Sequence, residues 1–195
     1  MIEIYFFTNL FDKNCYKNET LLEELHNNLP IKNKLYFIPL ININIIENTF
    51  NTLSKKINLD RNKFITTINQ LALDFKSASF QGQKTGRTFL TNAQYNLIFR
   101  HDSYKKQLSF QENNGIIDKK LFESERNNKI YVEELINDQN LAKEMHVSLP
   151  NQTVIVDTNN YEAILMKKFN YQNICNVCLH KNMCTVNSKI IHIKD

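Results

Sequence analysis

The feature that most constrains this chain is a change of hydrophobic period, made twice. Ile2 to Thr8 is a short β-branched and aromatic run, the pattern of a buried strand. A polar turn, Asn9 to Asn14, leads into Cys15 to Asn28, where Leu21, Leu22 and Leu25 fall on one helical face and Pro30 lies beyond the end. Leu35 to Leu40 returns to strand character, with Pro39 at its end because proline has no N–H for the ladder. A strand, a helix and a strand in this order make a right-handed crossover between parallel strands the default. From Ile41 to Ser148 the period is almost wholly helical. Asp60 can cap a long helix through Phe64, Ile68, Leu71, Phe75 and Phe80, which Gly82 and Gly86 interrupt before a second helix through Phe89, Tyr95, Leu97 and Ile98. Shorter helices follow at Tyr104 to Asn113 and Asp118 to Glu125, then Ile130 to Met145 with Leu135, Leu141 and Met145 facing inward. The strand period comes back in Gln152 to Val156 and its antiparallel partner Tyr161 to Met166, and Phe169 to Met183 reads as a closing helix. The predicted class is α/β, with residues 1–40 and 149–184 forming one core. Residues 41–148 are an all-helical insertion in it, and 185–195 a C-terminal tail. No internal repeat or low-complexity linker argues for a second independent domain.

Composition narrows the classes further. With 195 residues, 42% of them hydrophobic, the chain can bury its own core without disulfides or metal. Three glycines and three prolines exclude collagen-like and disordered classes. No apolar run reaches the roughly 18 residues of a membrane span. The start, Met1-Ile2-Glu3-Ile4, lacks a basic segment, so no secretory signal is expected and the cytoplasm is the expected compartment. The net charge of +4 comes from 24 basic and 20 acidic residues, well mixed, which reads as a solvated surface with no nucleic-acid partner. Abundant Asn, Ile and Lys reflect an AT-biased coding sequence, and no site follows from them.

The four cysteines are Cys15 alone and then Cys175, Cys178 and Cys184 close together. Without an export signal they read as reduced thiols, a redox site or metal ligands sooner than as a disulfide frame. Cys175, Cys178, His180 and Cys184 offer four soft ligands that could hold zinc. With Cys15 as a fourth thiolate, the three cysteines could also staple an iron–sulfur cluster. The two-residue step to His180 fits zinc poorly, and Cys184 lies more than a helical turn beyond Cys178. Ordinary reduced thiols without a cofactor are the favoured reading. His26, His101 and His192 have the setting of surface or capping residues. No Ser/His/Asp set has local support, and Gly82 and Gly86 do not sit between strand and helix as a phosphate loop would. Lys84 and Arg87 read as the basic corner of a solvated interhelical turn.

The order βαβ, helices, ββα resembles a thioredoxin-like core carrying a DsbA-like helical insertion, and the position of Cys15 sharpens this. Phe6-Phe7-Thr8-Asn9-Leu10-Phe11-Asp12-Lys13-Asn14-Cys15-Tyr16 looks like the strand-to-helix junction that carries C-x-x-C in the DsbA family. Cys15 matches the resolving cysteine, and Asp12 stands where the nucleophilic cysteine would be. Three further stretches resemble the cytosolic DsbA-like proteins of low-GC Gram-positive bacteria, the SpxH/YjbH-type ClpXP adaptor branch. They are Ala72 to Arg87, with its A-L-D-F-K and F-Q-G-Q-K-T-G-R segments, Phe122 to Arg126, and Asp138 to Val147. The likeness covers roughly residues 1–168. It implies a cis-proline loop, on which either Pro150, by a cis Leu149–Pro150 bond, or Asn151 falls. Tyr16, His146, Pro150 and Asn151 would then share a groove. It further implies a non-catalytic adaptor with a ClpX/ClpP-type protease and an Spx-like regulator as partners. The alternative is a cytosolic thiol-disulfide oxidoreductase, or a single-cysteine redox protein, acting through Cys15. Disulfide exchange needs a second thiol to resolve the mixed disulfide, and Asp12 removes it.

Overall fold

A computed structural model describes residues 1–55, 59–160, 162–180 and 188–192, the last five and His180 by backbone alone. Tyr161 and residues 181–187, where the closing helix was expected to end, lie outside the described residues. β1 (Ile2–Thr8) pairs in parallel with β2 (Asn33–Pro39), Ile4 opposite Leu35 and Phe6 opposite Phe37. β3 (Gln152–Asp157) runs antiparallel to β1, and β4 (Glu162–Met166) antiparallel to β3. Residues 188–192, assigned from sequence to a tail, form β5 (Ser188–His192) antiparallel to β4, and the sheet order is β2-β1-β3-β4-β5. A single β-branched pair, Ile190 and Ile191, is too short a signal to mark an edge strand by itself.

The sheet is buried on both faces. On one, Ile4, Phe6, Leu35, Phe37 and Ile155 belong to a core with Leu22 and Leu25 of α1 (Lys13–Asn28) and Ile174 and Val177 of α8 (Tyr171–His180). On the other, Phe7, Ile38, Val154 and Leu165 pack with Ile45 of α2 (Ile43–Ser54) and with Ala142 of α7 (Ile130–Glu144). Strict alternation fails at the end of β1, where Phe6 and Phe7 are both fully buried because each face has its own helical cover. Leu21, grouped by spacing with Leu22 and Leu25, is 38% exposed and lies beside the stripe rather than on it.

The insertion continues with α3 (Arg61–Phe80), α4 (Gln83–Gln94), a π-helical turn at Tyr95–Phe99, α5 (Tyr104–Asn113), α6 (Lys119–Glu125) and then α7. Asp60 caps α3 as expected, its carboxylate accepting the Lys63 N–H at 2.7 Å. Two expectations for the α3–α4 corner are corrected. Gly82, at φ 131°, is the break, while Gly86 lies inside α4. A Cβ at Gly86 would come within 2.0 Å of Ser79 Oγ and 2.8 Å of Ser79 Cα, so the residue is there to let two helices approach. Arg87 is buried, not solvated: its Nε lies 2.5 Å from Glu23 of α1, and it donates to the Leu35 carbonyl of β2 at 3.0 Å. No described peptide bond is cis, so the Leu149–Pro150 bond is trans.

Buried charges tie the insertion together. Asp74 of α3, with no exposed surface, accepts from Arg126 at 2.7 and 3.2 Å, from Tyr104 at 2.5 Å and from Gln70 at 2.8 Å. Lys76, two residues on, pairs with Asp138 of α7 at 2.6 Å. The first of the three stretches that resemble the adaptor branch is thereby bonded to each of the other two. No described helix is long and apolar enough to cross a membrane.

Candidate functional site at the start of the first helix

The junction after β1 is built by side-chain caps. Asn9 closes a turn, its carbonyl accepting the Asp12 N–H at 3.1 Å and its side-chain oxygen the Phe11 N–H at 3.1 Å. Its amide reaches Thr49 on α2 at 2.7 Å, which anchors the loop to the insertion. Asp12 is the N-cap of α1, in extended backbone, and its Oδ1 accepts the N–H groups of Asn14 and Cys15, both at 2.8 Å. The positive end of the helix is thus already served by a carboxylate, where a thioredoxin-type enzyme would use it to hold a thiolate.

Cys15 has no exposed surface, and its Sγ accepts the Asn9 N–H at 3.2 Å. Burial drives its thiol far above the ordinary range, and the carboxyl of Glu19 pushes it further the same way. That is the opposite of an activated cysteine, which is exposed and held in an electropositive setting. Cys15, Cys175 and Cys178 are all free thiols.

One helical turn beyond Cys15, Glu19 is fully buried. One carboxyl oxygen accepts from Thr8 and, at 3.2 Å, from the Gln94 amide of α4, while the other has no hydrogen-bond partner. Burial raises this group to about 7, against the pull of both hydrogen bonds. Sequence reading missed Glu19, although Cys15, Glu19 and Leu22 stand at helical spacing on one face.

Around the helix start, the residues expected to share a groove are only partly assembled. Tyr16 packs on Phe99 and Tyr95, with ring centres 5.2 and 6.3 Å apart, and Lys13 sits 5.1 Å above the Phe99 ring. The π-helical turn puts both partner rings on that side, a placement that sequence does not signal. Asn151, at φ 65°, donates its N–H to the Phe7 carbonyl at 2.8 Å and accepts from Asn18 of α1 at 2.8 Å. Pro150 precedes it, half-buried. His146 is exposed just beyond the end of α7, and among the described residues no hydrogen bond or ring contact joins it to Cys15 or Tyr16. Of the possible metal ligands, Cys175 is half-buried on α8 and Cys178 is buried, its thiol pushed up to about 12 by desolvation. The side chain of His180 and all of Cys184 lie outside the described residues.

A βαβ…ββα core with α1 entered from β1, and a run of helices between β2 and β3, defines a thioredoxin-like fold with a DsbA-like arrangement of elements. Residues 5–177 match the family model described as Thioredoxin, and the chain belongs to that family. No curated protein matches the chain in sequence. Among solved structures, a putative protein disulfide isomerase from Nitrosomonas europaea is similar with a TM-score of 0.66 and 7% identity, over 92% of this chain and 96% of that one. The thiol-disulfide exchange protein alpha-DsbA2 from Wolbachia pipientis gives 0.61 and 13%, over 93% and 82%. The cytosolic disulfide reductase DsbM from Pseudomonas aeruginosa gives 0.54 and 9%, over 82% and 91%. At these identities the likeness is one of fold.

Proposed function

We propose that this protein is a non-catalytic, DsbA-like scaffold that binds proteins in the cytoplasm, an adaptor presenting a thioredoxin-fold regulator of the Spx type to a ClpXP-type protease. One observation carries the first half. Where a thioredoxin-type enzyme has its attacking thiol, Asp12 caps the helix, and the remaining thiol, Cys15, is sealed from solvent. Disulfide exchange requires an accessible thiolate and a second thiol to resolve the intermediate; this site supplies neither. The partners rest on the resemblance of residues 72–87, 122–126 and 138–147 to the adaptor branch.

The second reading is thiol-disulfide chemistry through Cys15, favoured by the names of the fold neighbours, a disulfide reductase and a thiol-disulfide exchange protein among them. The buried, hard-to-ionise thiol argues against it. Affinity capture on the immobilised protein from its own cytosol tests the adaptor reading. Recovery of both ClpX and an Spx-like regulator is the expected result. Recovery of neither would overturn it.

A further inference from the structure

On the α7 face of the sheet, Phe7, Ile38, Val154 and Val156 are buried in one cluster with Ala142 of α7 and Ile45 of α2, while Tyr5 and Tyr36 pack against that cluster and stay only partly buried. These register partners stack with ring centres 4.9 Å apart and 19° between their planes. Between these rings and helices α3 and α7 runs a groove of about 630 Å³, within the size range of ligand sites. The Lys76–Asp138 pair belongs to its lining, both side chains largely buried. Apolar surface remains in the open beside them: Phe80, closing α3, is 64% exposed and Ile130, opening α7, is 51% exposed.

The charges decide what such a groove would take. Lys76 is matched by Asp138, and Lys34, beside Tyr36, is matched by Glu3. Glu125 and Glu134 also line the groove, and neither has a basic partner within ion-pair distance among the described residues. The groove is therefore locally acidic on a protein whose net charge is +4. A cationic side chain reaching it would lay its alkyl stem along the tyrosine faces and place its head by the carboxylates. Apolar neighbours on either side of that cation would meet Phe80 and Ile130.

We infer that this groove, away from the Asp12–Cys15 junction, docks a segment of another protein in which Arg or Lys alternates with apolar residues. The inference rests on the protein-binding reading above and deepens it by naming a surface and a partner chemistry. A basic segment is repelled by the average surface of this chain, so its attraction to the groove is a local property and can be removed locally.

Fluorescence anisotropy with two labelled ten-residue peptides, one alternating leucine with arginine and one leucine with glutamate, tests it. The arginine peptide is expected to bind the wild-type protein with a Kd of about 10–100 μM. Binding should weaken about tenfold or more in Glu125→Lys/Glu134→Lys, and again in Phe80→Ser. All of these positions are on the surface or at its edge, and circular dichroism confirms that the variants fold. Equal affinity in wild type and variants, or equal binding of the glutamate peptide, would overturn the proposal. So would a concentration-dependent dimer that the substitutions abolish, since the occupant would then be a second copy. Disulfide turnover by the wild type would sink the non-catalytic reading and leave the peptide result standing, so the two failures are distinguishable.

Discussion

Glu19 is a carboxyl with no exposed surface one helical turn from an equally buried thiol, and its ionisation works against the fold. Its folded value of about 7 lies above the ordinary 4.5, so folding favours the protonated form. The stability this contributes is fully present below about pH 4.5 and is lost as the pH rises through 7, by about 3 kcal/mol at most. Asp138, raised to about 6 by burial against the opposing pull of Lys76, acts with the same sign. Urea unfolding at pH 5 and pH 8.5 should therefore show lower stability at the higher pH, and Glu19→Gln should narrow the difference. An unchanged difference would remove Glu19 as its source. Cys15 gives a second test: iodoacetamide followed by peptide mapping should leave it unmodified in the native protein and alkylate it in denaturant. The spacing of Asp12 and Cys15 made both legible in sequence. Glu19 was not, because glutamate is rarely fully buried, and its partner Gln94 lies 75 positions away.

At the scale of elements, the residues that carry the family likeness also hold the insertion together. Asp74 and Arg126, Lys76 and Asp138, and Arg87 and Glu23 each join two elements through a largely buried ion pair. Removing one partner strands the other in a poor dielectric, so Arg126→Ala should cost about 3 kcal/mol, read from the urea midpoint. Gly86→Ala should cost about 1–3 kcal/mol despite alanine's better helix propensity, because Ser79 already occupies the space of a Cβ. Pairing with Ser79→Gly should recover part of that loss. Failure of Gly86→Ala to destabilise would mean that the α3–α4 contact is looser than the geometry requires. Helix periods were readable locally, and so was the cap at Asp60. Gly86 and Arg87 were misread because their purpose is tertiary: one admits a neighbouring helix, the other reaches a strand carbonyl 52 positions back.

For the whole molecule, the double change of period was enough to place a run of helices between the strands of one sheet, since strands at both ends of a chain must meet to bury their faces. The parallel β1–β2 pair followed from crossover handedness, and the antiparallel β3–β4 pair from its short connection. β5 was not legible, because edge strands are short and a few β-branched residues near a terminus have no periodicity to measure. The site was readable in outline only: Asp12, Cys15, Tyr16 and Asn151 meet around the helix start, while His146 stands apart. The central claim is that this scaffold has kept the thioredoxin form and lost the disulfide chemistry. Insulin reduction by dithiothreitol, followed as turbidity, tests it most directly with wild type, Cys15→Ser and Asp12→Cys side by side. Wild type and Cys15→Ser should both run at the rate of dithiothreitol alone. Asp12→Cys should accelerate the reaction, because it places a thiol where the N–H groups of Asn14 and Cys15 now bind a carboxylate. Acceleration by the wild-type protein that Cys15→Ser abolishes would contradict the claim.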